Sequence, residues 1–377
     1  MSYKPKTKLG ILGGGQLGRM LIQETINLDI DVHVLDPDPD APCRDIAHAF
    51  TNGSFKDYDT VLAFGKGMDV LTIEIEHVNV DALVALEKQG VKVYPQSNVI
   101  RLIQDKGAQK EFYAENGIPT AEYRLIGENE IKNHTDFFPV FQKLRTGGYD
   151  GKGVQSLKSA DDISKAFSEP SVLEKAVNLE KELSVIVARN ASGQVKTFPT
   201  VELEFNPIAN LVEFLFSPAN VSDEVEKVSQ EIAKTIAEKL EIVGLLAVEL
   251  FLDKEGNVLV NEIAPRPHNS GHQSIEGNYT SQFMQHVRAI LNISLGNTEI
   301  VKPSVMVNLL GEDGFSGEAK YEGLEDVLAL KGVNVHLYGK RFTKPYRKMG
   351  HVTVIAETMD EAKSTAKKVQ QTLKVKA

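Results

Sequence analysis

Two glutamates between Leu246 and Ile263 are the first residues of this sequence that could do chemistry together. Leu246, Val248, Leu250 and Leu252 alternate with Ala247, Glu249 and Phe251, which predicts a strand. Lys254 to Asn257 predict a turn, and Val258 to Ile263 the returning strand. Pairing about Glu255 and Gly256 sets Glu249 opposite Glu262. Opposed side chains on one face sit roughly 4.5–5.5 Å apart at Cβ, where like charges repel. A cation between them removes the repulsion. Carboxylate oxygens suit Mg, which keeps its other positions for water and phosphate oxygens. Two solvated acids on a wet hairpin face are the plain alternative. The continuation N-E-I-A-P-R-P-H-N-S-G-H from Asn261 to His272 favours the cation. Arg266, His268, Asn269, Ser270, Gly271 and His272 form a Pro-stiffened polar loop with no core period, suited to an active-site wall.

Two further stretches could hold anions. Arg145 to Gly153 reads R-T-G-G-Y-D-G-K-G between predicted strands Val140–Leu144, which carries Lys143, and Val154–Leu157. Four glycines in seven residues do not serve core packing, and their N–H groups can close over phosphates. No G-K-[ST] opens a helix there, so this is not a Walker A loop. Glu174 to Val177 follow a strand as a hinge, whose main chain offers the donor and acceptor that adenine needs. Near the start, Lys8–Leu12 is a strand leading into G-G-G-Q-L-G-R-M at Gly13–Met20 and then a helix. Gly13, Gly15 and Gly18 with Asp36 fit a dinucleotide fingerprint, but a lone G-x-G-x-x-G says only that a helix N-terminus is ready for an anion, or that the turn is tight. Glu74 and Glu76 end a strand from Val70, where ligands of α/β sheets bind.

The elements that position these groups are strands and helices of α/β and α+β type. A helix is predicted over Arg101–Tyr113, strands over Leu183–Arg189 and Val195–Phe198, and helices over Val221–Leu240 and Thr280–Leu291. After Lys302-Pro303 come a strand Val305–Leu309, a helix near Leu324–Leu330, strands Val333–Tyr338 and Val352–Ala356, and a last helix Asp360–Lys374. The loop Gly339–Gly350 is rich in cations, either a solvated edge or a phosphate clamp. Among 377 residues, 42% hydrophobic and 25% charged, the net charge of -10 disfavours nucleic-acid binding. Apolar runs are too short for a membrane span. The single cysteine, Cys43, excludes an intrachain disulfide and fits a cytoplasmic protein.

Together the runs Gly13–Met20, Arg145–Gly153, Asn261–His272 and Lys340–His351 resemble the ATP-grasp superfamily, and within it the carboxyaminoimidazole ribonucleotide synthetases of purine biosynthesis. The resemblance covers essentially the whole chain. It implies an ATP-grasp fold: a Rossmann-like pre-ATP-grasp domain over 1–98, an ATP-grasp domain over 99–298 with a lid about 114–178, and a small C-terminal domain over 299–377. It implies a C–N-forming ligase that joins bicarbonate to the amine of 5-aminoimidazole ribonucleotide, using ATP and Mg, with Mn as a substitute. A homodimer and hand-over of product to the downstream mutase are implied as well. Carried over by position, Arg101, Lys143, Gly148, Tyr149, Asp150, Gly151, Lys152, Gly153, Glu174, Lys175, Ala176, Val177, Glu182, Asn261 and Glu262 would hold ATP. Glu249 and Glu262 would hold the metal. Gln16, Leu17, Glu74, Tyr149, Asp150, Arg266, His268, Asn269, Ser270, Lys340 and Arg347 would line the substrate side. Asp150 as general base, Arg266 and Lys143 are the expected catalytic groups. V-E-L-E-F at Val201–Phe205 departs from the V-E-N-I-H common in the family, so Phe205 receives no role. The competing readings are another ATP-grasp ligase, formate-using or biotin-directed, and a nicotinamide-dependent oxidoreductase.

Overall fold

A computed structural model describes residues 4–148, 153–206 and 211–377. The run Lys8–Leu12 (β1), buried from Leu9 onward, centres a parallel five-stranded sheet. Its neighbours are Asp31–Asp36 (β2) and Val70–Ile73 (β4), with Ala49–Asn52 (β3) and Lys92–Val93 (β5) at the edges, giving the order β3-β2-β1-β4-β5. The Gly-rich turn enters helix α1 (Gln16–Ile26) at the carboxyl edge of this sheet, as in other doubly wound folds.

The lid is a separate antiparallel sheet of Tyr123–Ile126 (β6), Val140–Leu144 (β7), Val154–Leu157 (β8) and Ser171–Lys175 (β9), in the order β6-β9-β7-β8. The Arg145–Gly153 run joins β7 to β8, and of it Tyr149, Asp150, Gly151 and Lys152 lie outside the described residues.

The main sheet has nine strands. Its path through the middle of the chain uses Leu179–Arg189 (β10), Val201–Phe205 (β12), Val212–Ser217 (β13), Gly244–Asp253 (β14) and Val258–Ala264 (β15), with Val195–Thr197 (β11) pairing off β10. Ser304–Leu310 (β16) then pairs antiparallel with β13, so Lys348–Ile355 and Val333–Leu337 continue the same sheet. The expected boundary at residue 299 is therefore no break in the sheet. Even-numbered residues of β14 (Leu246, Val248, Leu250, Leu252) are buried against Ile232, Ala233, Ile236 and Ala237 of the helix Asp223–Lys239. That burial leaves the opposite face, with Glu249, to line a cleft.

The helix expected over Arg101–Tyr113 is two helices, Ser97–Ile103 and Lys106–Glu115. Asp105 breaks it, accepting the Gly107 N–H at 2.8 Å and so capping the second. The strands Tyr123–Ile126, Val201–Phe205 and Val212–Ser217 are additions to the expected elements.

Candidate active site

The two acids do oppose each other: Glu249 on β14 pairs with Glu262 on β15. The route differs from a plain hairpin. Next to the turn the pairs are Leu252 with Val258 and Leu250 with Val260. In that register Glu249 would face Asn261, and Glu262 would point into the core. The register shifts between Glu249 and Leu250, and a bulge at Asn261 restores the opposition. One extra residue reverses the alternation, so Asn261 and Glu262 both turn away from the core. The side chains of Glu249 and Glu262 are 20% and 44% open to solvent, as groups that must receive a ligand have to be.

Two lysines and a histidine neighbour this pair. Lys106, in the first turn of its helix, reaches Glu262 Oε2 at 2.5 Å. Lys143, at the end of β7, donates to Asn261 Oδ1 at 2.8 Å and to Glu174 Oε2 at 2.8 Å. His268 Nε2 lies 3.6 Å from Glu249 Oε1. The Ser270 N–H donates to His268 Nδ1 (3.3 Å), so Nε2 carries the ring proton and turns it towards Glu249. The acids differ accordingly. Burial, Glu262 and Glu182 push the Glu249 carboxyl up, so it keeps a proton near neutral pH. Burial raises Glu262 too, but Lys106 and Lys143 outweigh it and hold it below the usual range. Glu182 on β10 is pushed up to about 7 by burial, against Lys143. No group of three or more His, Cys, Asp or Glu among the described residues could cage a metal. Two carboxylates fit a cation that completes its shell with phosphate oxygens and water, which is Mg or Mn rather than Zn.

The second wall lies where the N-terminal sheet meets the polar loop. Arg266 pairs with Glu76 at 2.8 Å. Asn269 and Asn308 exchange side-chain hydrogen bonds at 2.9 and 3.1 Å. Ser270 Oγ is shared with Ser184 Oγ (2.7 Å) and His268 Nδ1 (2.9 Å), so Ser270 props His268 and is itself only 2% exposed. Lys340 Nζ donates to the Lys348 carbonyl at 2.8 Å, and Arg347 to the Phe342 carbonyl at 2.7 Å. This loop starts beside α1: a Cβ on Gly339 would lie 3.2 Å from Arg19, and Tyr338 packs with Leu17 and Met20. Behind the loop the rings of His272, His351 and His336 form a column, with centroids 4.7 and 4.5 Å apart.

The Gly-rich turn is already filled by the chain's own acids. Glu74 accepts the Gly15 and Gly18 N–H groups at 2.8 and 2.5 Å, and Asp36 accepts Gly14 N–H at 2.6 Å. A Cβ on Gly15 would stand 2.3 Å from Glu74 Oε1, so the glycines are there to admit this carboxylate. A dinucleotide pyrophosphate has no place against the same N–H groups, which removes the oxidoreductase reading. Gln16 and Leu17, in the first turn of α1, retain N–H groups with no intrahelical acceptor.

Three family models match the chain in order. They are a ribonucleotide synthetase preATP-grasp domain over residues 6–104, an ATP-grasp domain over 111–283, and a phosphoribosylaminoimidazole carboxylase C-terminal domain over 304–365. The crystal structure of N5-carboxyaminoimidazole ribonucleotide synthetase from Thermotoga maritima is 43% identical, covers 98% of this chain and 99% of its own, and superposes with a TM-score of 0.90. This chain belongs to the N5-carboxyaminoimidazole ribonucleotide synthetase family. A second member, from Aspergillus clavatus, was solved in complex with ADP and 5-aminoimidazole ribonucleotide. It is 36% identical, covers 98% of this chain and 99% of its own, and has a TM-score of 0.89. The chloroplastic phosphoribosylaminoimidazole carboxylase of Vigna aconitifolia is 39% identical over 368 residues, which are 94% of this chain. The chain spans only 65% of that plant enzyme's length.

Within the synthetase family site the geometry gathers Lys143, Glu174, Glu182, Glu249, Asn261, Glu262 and His268 on one side, and Glu74, Arg266, Asn269 and Ser270 on the other. Arg101 is not among them. It is 58% exposed and pairs with Asp81 at 2.7 Å on the surface of the N-terminal unit. The cation at the acid pair is Lys106, five residues further on, which the sequence reading missed. The i, i+4 lysines 106 and 110 directly after Asp105 were the available signal. Lys348, also missed, puts its charge close enough to act on both Glu249 and His272. In the hinge, Lys175 and Ala176 spend their N–H groups on the Glu122 and Pro139 carbonyls. Among the described residues no acceptor faces the Val177 N–H, so Val177 is the hinge's open donor. Gly148 and Gly153 flank residues outside the description, and Gly153 N–H is not the group that closes the β7–β8 hairpin: its carbonyl is, accepting from Leu144 at 2.9 Å.

Proposed function

We propose that this chain carboxylates the exocyclic amine of 5-aminoimidazole ribonucleotide with bicarbonate, converting ATP to ADP and phosphate. The observation that carries this reading is the opposed Glu249–Glu262 pair, with Lys106 and Lys143 on one side and the Arg266–His268 loop on the other. It is supported by the synthetase name of the Thermotoga structure and by the ligands in the Aspergillus one.

ATP lies under the Gly-rich loop, its adenine on the Val177 N–H, its ribose at Glu182 and its phosphates at Lys106 and Lys143. A divalent Mg or Mn held by Glu249 and Glu262 supplies charge neutralisation on the phosphates. A bicarbonate oxygen attacks the γ-phosphorus, and ADP leaves. The resulting carboxyphosphate splits into phosphate and CO2. The amine nitrogen adds to the CO2 carbon and gives up a proton, to Asp150 in this reading. Lys143 steadies the transferring phosphoryl group, Arg266 and His268 orient the carboxylate side, and the closed loop excludes water from the short-lived intermediate. The substrate phosphate lies between the Gln16–Leu17 N–H groups and the Lys340 and Arg347 side chains. A homodimer, a cytoplasmic location and direct hand-over of product to the next enzyme belong to the same reading.

The deciding assay follows ADP release. It should require Mg and rise strongly with aminoimidazole ribonucleotide. Stimulation by glycinamide ribonucleotide instead, with none by aminoimidazole ribonucleotide, would move the chain to another ATP-grasp ligase.

Arg347→Ala separates a phosphate clamp from a solvated cation. A hydrogen bond to a charged group contributes roughly 1.5–3 kcal/mol, or about ten- to a hundredfold in binding. The Michaelis constant for the ribonucleotide should rise by about that factor while that for ATP holds. If both constants rise equally, the fold has loosened and the clamp is wrong.

A further inference from the structure

Lys110 is the most deeply enclosed of the cations near the cleft, with a side chain only 3% exposed. Nothing in the reaction so far uses it. Its Nζ lies 3.1 Å from Glu174 Oε1 and 2.5 Å from Thr120 Oγ1. The rings of Tyr113 and Tyr123 approach it at 5.8 and 6.0 Å from their centroids. Thr120 in turn donates to the Val260 carbonyl (2.7 Å), so Lys110 is tied to the metal-binding hairpin from behind. The other oxygen of Glu174 accepts from Lys143 at 2.8 Å. Glu174 therefore stands between two ammonium groups. One of them reaches into the cleft, and the other is sealed behind it.

We propose that Lys110 is a positioning residue for ATP turnover, acting through Glu174 on Lys143. A buried carboxylate with one cation closes on it as a tight neutral pair, because attraction is strong where water is excluded. With a second cation at its back the carboxylate is shared. Lys143 then keeps net positive charge to direct at ATP, and Glu174 stays fixed rather than following Lys143 outward. Without Lys110 the Glu174–Lys143 pair is neutral, and its hold on phosphate weakens. This rests on the reading of Lys143 as an ATP contact.

The groups facing Lys110 make its charge sensitive to alkali. Glu174 faces it from β9, Lys143 from β7, Lys106 and Tyr113 from its own helix, Tyr123 from β6, and Thr120 from the segment before β6. Burial, opposed by Glu174 and reinforced by Lys143 and Lys106, brings its ammonium down to about 8. The structural alternative is an ion pair that merely holds the lid sheet to the helix Lys106–Glu115. It would alter stability without separating the two substrates.

The test compares the wild type with Lys110→Met, Lys110→Arg and Lys143→Met in steady-state turnover, from neutral to alkaline pH. Lys110→Met should raise the Michaelis constant for ATP by about tenfold, the effect of about 1.4 kcal/mol, and leave that for the ribonucleotide unchanged. Lys110→Arg should restore ATP use at neutral pH and move the alkaline limb of kcat/KM for ATP upward, since a guanidinium does not titrate there. Wild-type ATP kinetics in Lys110→Met would overturn the proposal. So would an equal rise in both constants, or an unmoved alkaline limb in Lys110→Arg, which also serves if the Met variant fails to fold. Lys143→Met marks the other failure. If it leaves ATP use intact, the ATP reading of Lys143 is wrong and the proposal falls with it. If it cripples ATP use while Lys110 changes do nothing, only the proposal falls.

Discussion

Glu249→Gln should abolish turnover and raise the melting temperature of the metal-free protein at mildly alkaline pH, whereas Glu262→Gln should abolish turnover and lower it. Both acids belong to one candidate metal site, but their surroundings differ. The folded protein holds the Glu249 carboxyl above its unfolded value, through burial first and then Glu262 and Glu182. Between the unfolded and folded values the native state binds more protons than the unfolded chain. Stability therefore falls as pH rises through that window. An amide cannot ionise, so Glu249→Gln removes the penalty, and the gain is greatest above the folded value, about 8. One pKa unit corresponds to about 1.4 kcal/mol, so about 1–3 kcal/mol is the expected scale. Each kcal/mol moves the midpoint of a domain of 150–250 residues by about 2–4 °C. Glu262 is the reverse. Against the cost of burial, Lys106 and Lys143 hold it below its unfolded value, so it contributes stability that is present above the unfolded value and lost as pH falls through the folded one. Removing it strips Lys106 of its partner. Adding Mg should raise the wild-type midpoint and leave both variants where they were. A midpoint that falls in Glu249→Gln, or turnover that survives in either variant at saturating Mg, would refute the assignment.

The second large effect is acid lability. His272, His286 and His351 are all enclosed and neutral. Leu245 N–H donates to His286 Nδ1 (3.2 Å), so its Nε2–H donates to Thr72 Oγ1 (2.9 Å). Burial alone takes it down to about 3. His272 and His351 are lowered well below the usual range by burial and by neighbouring histidines, with Lys348 and Arg266 adding to the effect on His272. When pH falls below the ordinary histidine value, the unfolded chain takes up protons that the native state refuses. Each such histidine then costs up to about 1.4 kcal/mol per pH unit. Three together approach about 4 kcal/mol per unit below pH ~6, a large part of a typical stability. Carboxylates with lowered values, such as Glu174 and Asp105, withdraw their contribution only at lower pH, while Glu249 and Glu182, raised to about 8 and about 7, take up protons in the fold over the same window and offset part of the histidine loss. The histidine share is read by difference: from pH 7 to pH 5 the wild type should lose more stability in urea than His286→Gln does, by up to about 1.4 kcal/mol per pH unit, while His286→Gln lowers the midpoint at pH 7. The same pH dependence in wild type and His286→Gln would mean that the His286 ring is protonated in the fold.

The opposed acids were legible because a short turn and an alternating apolar face nearly fix a hairpin's register. What the alternation could not show was the bulge at Asn261, since one inserted residue leaves no mark in composition. The sequence pairing reached the right opposition by placing the whole hairpin one residue off near its turn. The Gly-rich turn was legible as an anion site, but not that Glu74 and Asp36, 56 and 22 residues away from their partners Gly18 and Gly14, would supply the anions. Local sequence carries no information on such long-range acceptors. Arg101 and Lys106 were exchanged for the same reason: both are cations in or beside one expected helical stretch, and only the Asp105 cap decides which one faces the cleft. The strand Val201–Phe205 went unread, although Val201 and Leu203 alternate with Glu202 and Glu204 in the pattern of a half-buried strand.

The pairing of β13 with β16 has a consequence for how this chain can be cut or extended. A sheet that runs unbroken from the hairpin of Glu249 and Glu262 to Lys348–Ile355 has no seam at which the last eighty or so residues could be removed as a module. Ending the chain before Ser304 would leave the β13 edge bare, from Phe214 to Ser217, with Phe214 and Phe216 uncovered. An apolar edge of that kind pairs with the next one it meets. The two ends differ in this respect from the lid, whose sheet shares no strand with its neighbours and can be replaced as a unit. A chimera that exchanges substrate preference should therefore be joined at the lid, or carry the hairpin and everything after it as a single inheritance.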